Sequence, residues 1–177
     1  GSYVRADERA WLESLCERRG LPLIADEVFL DYGRGAARAA SFVAARGPLV
    51  FALSGLSKLA GLPQMKLGWI ALAGEERAKQ RAAERLEFIA DAYLSVSPLL
   101  AAALSELLAQ REAIQRPIRE RVAHNRVALV ASGLEVLAAE AGWQAIVRVA
   151  GRDDESLAAE LLDAGVLVQP GSLFDLE

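Results

Sequence analysis

The sequence is poor in the residues on which most metal and triad chemistry depends. Its 177 residues include one cysteine, Cys16, and one histidine, His124. A lone cysteine closes no intramolecular disulfide and builds no cysteine-based metal site, and a lone histidine removes most metal and His-triad chemistry; no metal is expected. No uninterrupted apolar run reaches the ~18 residues that a membrane-spanning helix needs. The N-terminus lacks a basic-then-apolar signal pattern, which makes a cytoplasmic location the expectation. A basic surplus is also missing: 20 Lys+Arg stand against 24 Asp+Glu, a formal charge of −4. That balance argues against a nucleic-acid binder working through a basic face. Lysine is scarce in particular, at positions 58, 66 and 79 only.

What is present is a globular composition. Hydrophobic residues make up 53% and charged residues 25%, with a mean hydropathy of +0.21. Disorder is excluded, and the length suits one domain, or one and a half, with a real core. Residues 6–19 place Asp7 and Glu8 in a first turn and Trp11, Leu12, Leu15 and Cys16 on one face, ahead of Gly20. This predicts an amphipathic helix with a glycine stop. LPLIADE (21–27) predicts a fully buried strand ending in two carboxylates, LVFAL (49–53) a second strand, and LGWIALAG (67–74) a third. A helix, a tight turn and a buried strand are the parts of an α/β unit with a parallel sheet.

From Glu75 the period becomes helical, with Ala78, Ala82, Leu86, Ile89 and Tyr93 on one face. Pro98 opens a helix to about 115, and Pro117 suits the first turn of another. In that one Ala123, Val127, Val130, Leu134, Leu137 and Ala141 share a face, with Gly133 as a possible interruption. The tail reads β-α-β: QAIVRVAG, DDESLAAELLDAG, then VLVQPG. A boundary is placed near 95–115, dividing part of a doubly wound sheet (1–95) from a small α+β unit (96–177).

Three segments carry candidate chemistry. Asp26 ends a buried strand, and ligands in open α/β sheets gather at the carboxyl ends of strands; the competing reading is a helix cap or solvated turn. Lys58 follows another strand in S-G-L-S-K. Lysine, unlike arginine, can lose its proton and attack a carbonyl to form an imine. Taken alone it reads as a surface lysine, but Ser54, Gly55 and Ser57 add small and hydroxyl residues suited to a phosphate. Lys66, eight residues on, offers a cation to the same anion, or a salt bridge at a strand start. A carboxylate for a pyridine nitrogen, an imine-forming lysine and a phosphate-friendly turn are together what pyridoxal 5′-phosphate requires.

A-D-E-V-F (25–29), S-G-L-S-K-L-A-G-L-P-Q-M-K-L-G-W-I (54–70) and V-L-V-Q-P-G (166–171) resemble, in order and spacing, the class I/II pyridoxal-phosphate-dependent aminotransferases of the aspartate aminotransferase fold, fold type I. The resemblance runs along essentially the whole chain. It implies an α/β fold: part of a large, three-layer α/β/α cofactor domain with a mostly parallel sheet, then a small α+β domain. It implies Lys58 as the Schiff-base lysine, Asp26 as partner of the pyridine nitrogen and Lys66 as the phosphate cation. It implies transfer of an amino group between an amino acid and a 2-oxo acid by a homodimer, with no nucleic acid or membrane partner.

Three positions depart from the pattern. Lys66 stands where arginine is usual, so it meets a phosphate as a point charge rather than a fork. Gly55 stands where a phosphate-binding serine is common, leaving Ser54 or Ser57 to compensate. Phe29 stands where a tyrosine hydroxyl commonly meets the cofactor's 3′ oxygen. Gly1-Ser2-Tyr3-Val4 is similar to the stretch after the family's Asn-Pro-Thr. The family's phosphate loop, ring-stacking aromatic and that asparagine would fall before Gly1, and its carboxylate-binding arginine after Glu177. The chain is therefore expected to be a fragment, inactive by itself. Alternatives left open are a β-lyase, decarboxylase or synthase of the same fold, or the aminotransferase-like sensor domain of a transcription regulator. Trp11 and Trp143 read as core or interface, Cys16 and Trp69 as packing, His124 as a surface or partly buried helical residue, and the run Arg116, Arg119, Arg121 and Arg126 as a solvated helix face.

Overall fold

The computed structural model describes residues 2–35, 37–93 and 95–176; Gly1 of the opening segment lies outside them. The chain divides into two compact units, one of residues 1–127 with 138–144, the other of 128–137 with 145–177.

In the first unit, α1 (Ala6–Arg19) begins where Glu8 accepts from the Arg5 amide at 2.9 Å and ends at Gly20, whose φ of 61° is a left-handed cap. The turn delivers β1 (Leu23–Asp26), followed by β2 (Val50–Gly55), the one-turn helix α2 (Leu56–Leu59) and β3 (Gly68–Ala73). The strand order is β1-β2-β3. The sheet is mixed, which corrects the expectation of a mostly parallel one: β1 and β2 run parallel, β2 and β3 antiparallel. The chain between β2 and β3 holds a single α-helical turn and a short 3-10 turn, Pro63–Met65, and so returns alongside β2 without a long crossover helix.

One face of this sheet is buried. Ala25, Val50 and Ala73 pack with Phe42 and Ala45, and Leu23 leans on them. The covering turn, Phe42–Ala44, is held by Glu27, which accepts from Ser41 Oγ at 2.7 Å and from the Phe42 amide at 2.6 Å. The opposite face carries Ile24 at 70% and Ile70 at 44% exposure. The fully buried strand expected over 21–27 is thus half-exposed, because strand alternation sends Ile24 and Asp26 to a face that the described residues leave open.

A second cluster is built around α2: Leu56, Ala60 and Leu67, with Leu62, Met65, Trp69 and leucines 100, 104, 107 and 108 packed against it. Trp69 is therefore a packing residue. Trp11, read as core or interface, is 60% exposed. α3 (Glu76–Asp91) starts on a Glu75 side-chain cap, and α4 (Pro98–Ala102), α5 (Leu104–Ala109) and α6 (Arg111–Ala131) follow.

Two helical expectations need correction here. Pro117 lies inside α6, not in its first turn, since the helix begins six residues earlier. The helical face read through Leu137 and Ala141 stops at Ala131, and Gly133 takes φ 80°, which ends the helix.

The second unit contains the two-residue strands β4 (Glu135–Val136) and β5 (Val147–Arg148), paired antiparallel. The helix α7 (Asp154–Asp163) is capped by Asp153, which accepts from the Ser156 amide at 2.8 Å. VLVQPG forms no strand; it runs into a 3-10 turn, Gly171–Phe174, held by the Ser172 amide donating to Asp154 at 2.7 Å.

Candidate cofactor site

The sequence candidates gather at one end of the three-stranded sheet. Asp26 is the last residue of β1 and sits beside Leu53 of β2. Its Oδ1 accepts from the Val28 amide at 3.1 Å, an Asx turn that leaves the other oxygen available. β2 runs directly into α2, which carries Ser57 and Lys58. Lys66 precedes β3, whose start pairs with the end of β2. The Leu56 amide donates to the Leu67 carbonyl at 3.0 Å, so Lys58 and Lys66 flank a single backbone contact. Strand alternation assigns Ser54 to the face of Val50 and Ala52, opposite the face of Asp26.

Lys58 is half-buried in aromatic surroundings. Its Nζ lies 5.1 Å from the Trp143 ring centroid and 5.8 Å from that of Phe29. Phe29, Tyr32 and Trp143 meet edge to face, with centroids 5.1 to 6.2 Å apart. Such rings offer an ammonium a negative face in place of a carboxylate. Of the three lysines, Lys79 alone is ion-paired among the described residues, to Glu76 at 2.7 Å. Lys66 is exposed and sits at φ 52° in the left-handed region, a conformation costing a non-glycine residue about 1 kcal/mol.

The backbone explains the absent serine. A Cβ at Gly55 would lie 2.9 Å from the Leu67 carbonyl oxygen and 3.0 Å from Gly68 Cα. The start of β3 occupies the space that a serine side chain would enter.

Trp143, Tyr32 and Gln115 are neighbours of the site that sequence reasoning missed. Trp143 arrives through a backbone link distant in sequence: the Gly142 amide donates to the Tyr32 carbonyl at 3.1 Å, the Arg34 amide to the Glu140 carbonyl at 2.7 Å, and Gly142 takes φ 91°. Arg34 fastens this link, donating to the Gly142 carbonyl from Nε and Nη2 and also to the Gln144 carbonyl. Burial lowers the pKa of Arg34, and Arg126 lowers it further. The Trp143 indole N–H is buried and has no hydrogen-bond partner among the described residues. Tyr32 is 3% exposed, and its hydroxyl donates to the Lys58 carbonyl at 2.8 Å. Burial is the main cause that pushes its pKa up, with Asp31 adding and Arg119 opposing. No local sequence signal marks these contacts, because each joins segments far apart in the chain.

In this α/β protein a lysine stands just beyond one sheet strand, and a carboxylate ends the neighbouring parallel strand. The chain belongs to the aminotransferases of class I and II, whose family model matches residues 1–177. Its fold is similar to that of aspartate aminotransferase from Thermotoga maritima (TM-score 0.81, 19% identity), which it matches over 98% of its own length and 46% of that chain. An aromatic aminotransferase from Pyrococcus horikoshii OT3 gives a TM-score of 0.77 at 20% identity, over 99% and 48% of the two chains. N-Succinyldiaminopimelate aminotransferase from Mycobacterium tuberculosis gives 0.67 at 24%, over 98% and 46%. The chain thus spans about half the length of the solved structures it resembles. No curated protein matches the sequence. No helix among the described residues is long and apolar enough to cross a membrane.

Proposed function

We propose that this chain is the part of a pyridoxal 5′-phosphate-dependent aminotransferase that carries the cofactor lysine, and that the whole enzyme moves an amino group between an amino acid and a 2-oxo acid. The observation that carries the reading is the convergence of Asp26, Lys58 and Lys66 at one end of the sheet. The donor set suits the cofactor: a carboxylate oxygen beyond the Asx turn, two lysines without ion-pair partners among the described residues, and a buried indole N–H without one.

When bound, pyridoxal 5′-phosphate supplies an aldehyde for an amine and a ring that takes up an electron pair. Lys58 is the amine that holds it, and once displaced by substrate it moves the proton at the substrate's Cα. Asp26 keeps the ring nitrogen protonated. Lys66, with the hydroxyl of Ser57, holds the phosphate, since Ser54 lies on the face opposite Asp26. Phe29 brings no hydroxyl to the 3′ oxygen and contributes a ring edge beside Lys58 instead. The left-handed backbone of Lys66 supports its role, since strain of this kind concentrates where a side chain is held for function. The division into a three-layer large-domain portion (1–95) and a small-domain portion (96–177), the homodimer and the cytoplasmic location belong to the same reading.

The test is borohydride reduction in the presence of pyridoxal 5′-phosphate, followed by peptide mass mapping. The label is expected on Lys58 and is lost in Lys58→Arg. A label on Lys79 in place of Lys58, or on no lysine, refutes the assignment.

A further inference from the structure

We infer that Tyr32 and Gln115 are positioning residues for Lys58: they hold the two carbonyls at the end of its one-turn helix and so set the direction of its side chain. The inference rests on the reading of Lys58 as the cofactor-holding amine. A helix of four residues cannot satisfy its own last carbonyls. The Leu56 carbonyl accepts from the Ala60 and Leu62 amides, both at 3.1 Å, which closes the turn. The last two carbonyls are met from distant segments. Tyr32 donates its hydroxyl to the Lys58 carbonyl at 2.8 Å, and Gln115 Nε2 donates to the Leu59 carbonyl at 2.7 Å.

Both donors are themselves fixed. Tyr32 is 3% and Gln115 1% exposed, and Gln115 is the buried polar residue of α6. Its second N–H goes to Asp31 Oδ2 at 3.1 Å, and its Oε1 accepts from Arg119 Nη1 at 2.8 Å. Arg119 in turn is ion-paired with Glu112. Three partners leave the amide one orientation, with nitrogen towards the turn. A side-chain network of this kind, buried and fully partnered, rigidifies what it touches. Here it touches the residue whose amine must meet a reacting carbon, where a small misplacement is costly to rate. α6 also closes on the following turn, since a Cβ at Gly61 would lie 3.0 Å from Ile114 Cγ2.

The experiment traps pyridoxal 5′-phosphate on the 177-residue chain with borohydride and reads the share of label on Lys58 relative to Lys79, which lies on α3. Trapping is irreversible, so it registers weak occupancy. Tyr32→Phe keeps the ring and removes the donor; Gln115→Met keeps the bulk and removes all three bonds. Circular dichroism confirms that each variant is folded, and amide exchange at Ala60 and Leu62 reports the turn directly.

The Lys58 share is expected to fall about fivefold in Tyr32→Phe, the worth of one lost hydrogen bond, and at least as far in Gln115→Met, with faster exchange at both amides. A purely structural role would lower the melting temperature and leave the share unchanged. An unchanged Lys58 share in folded Tyr32→Phe overturns the inference, and that variant carries the test if Gln115→Met does not fold. No label on Lys58 in the parent chain instead overturns the lysine assignment itself, and this inference with it.

Discussion

Replacing Gly55 by alanine or serine is expected to destabilise the protein, although the residue's φ of 176° is open to any amino acid. Two effects oppose each other. Alanine at an extended position restricts the unfolded chain and adds strand propensity, a gain of about 0.5–1 kcal/mol. Against it stands the 2.9 Å approach to the Leu67 carbonyl oxygen and the 3.0 Å approach to Gly68 Cα. Both are backbone atoms, one held by the Leu56 amide and the other in paired β3, so neither can swing aside. Forcing extra volume into a closed contact costs about 1–3 kcal/mol. Pushing Leu67 away also weakens the Leu56–Leu67 hydrogen bond of 3.0 Å, adding about 1 kcal/mol.

The net loss is about 1–3 kcal/mol, and serine should lose no less than alanine. Urea unfolding followed by tryptophan fluorescence reads this as a lower midpoint at unchanged slope. Gly68→Ala serves as the internal comparison, since its Cβ would meet only the Ser54 carbonyl at 3.2 Å, and it should lose less. If Gly55→Ala equals or exceeds the parent in stability, the steric explanation for the missing serine is wrong.

Leu56→Ala, at 0% exposure in the first position of α2, should cost about 2–5 kcal/mol in the same assay. Lys66→Gly should raise stability by about 1 kcal/mol by releasing the left-handed backbone, while under the proposed function it weakens retention of the phosphate-bearing cofactor, measured by equilibrium dialysis. Tyr32 has a folded pKa above its ordinary 10.0 because it is buried; its contribution is complete below pH 10 and declines as pH rises beyond that. The alkaline loss of stability should therefore be shallower in Tyr32→Phe, measured by unfolding at a series of pH values. Asp153 has its pKa lowered by the Ser156 hydrogen bonds at the α7 N-terminus. Its contribution is present above its ordinary 3.8 and lost as pH falls through the lowered value, so Asp153→Asn should flatten the acid limb of a thermal-stability profile.

The opening helix, the three sheet strands and the arrival of Asp26, Lys58 and Lys66 at strand ends were legible in the sequence, because period, caps and breakers are local properties. So was the family, which the motifs at 25–29 and 54–70 already suggested. Strand direction was not, since nothing within residues 67–74 says whether that strand runs with or against its neighbour; the single-turn connection decides it. Nor could periodicity show that Pro117 lies inside a helix, a position where proline removes one backbone hydrogen bond.

Local pattern therefore determined which residues form elements and which carry reactive groups. The tertiary structure alone decided that Gly55 is glycine because Leu67 and Gly68 crowd it, and that Lys58 lies beside Trp143. It also decided that Tyr32 and Gln115 end the helix on which Lys58 stands. These are contacts between segments up to 85 residues apart, and they exist only once the chain has closed on itself.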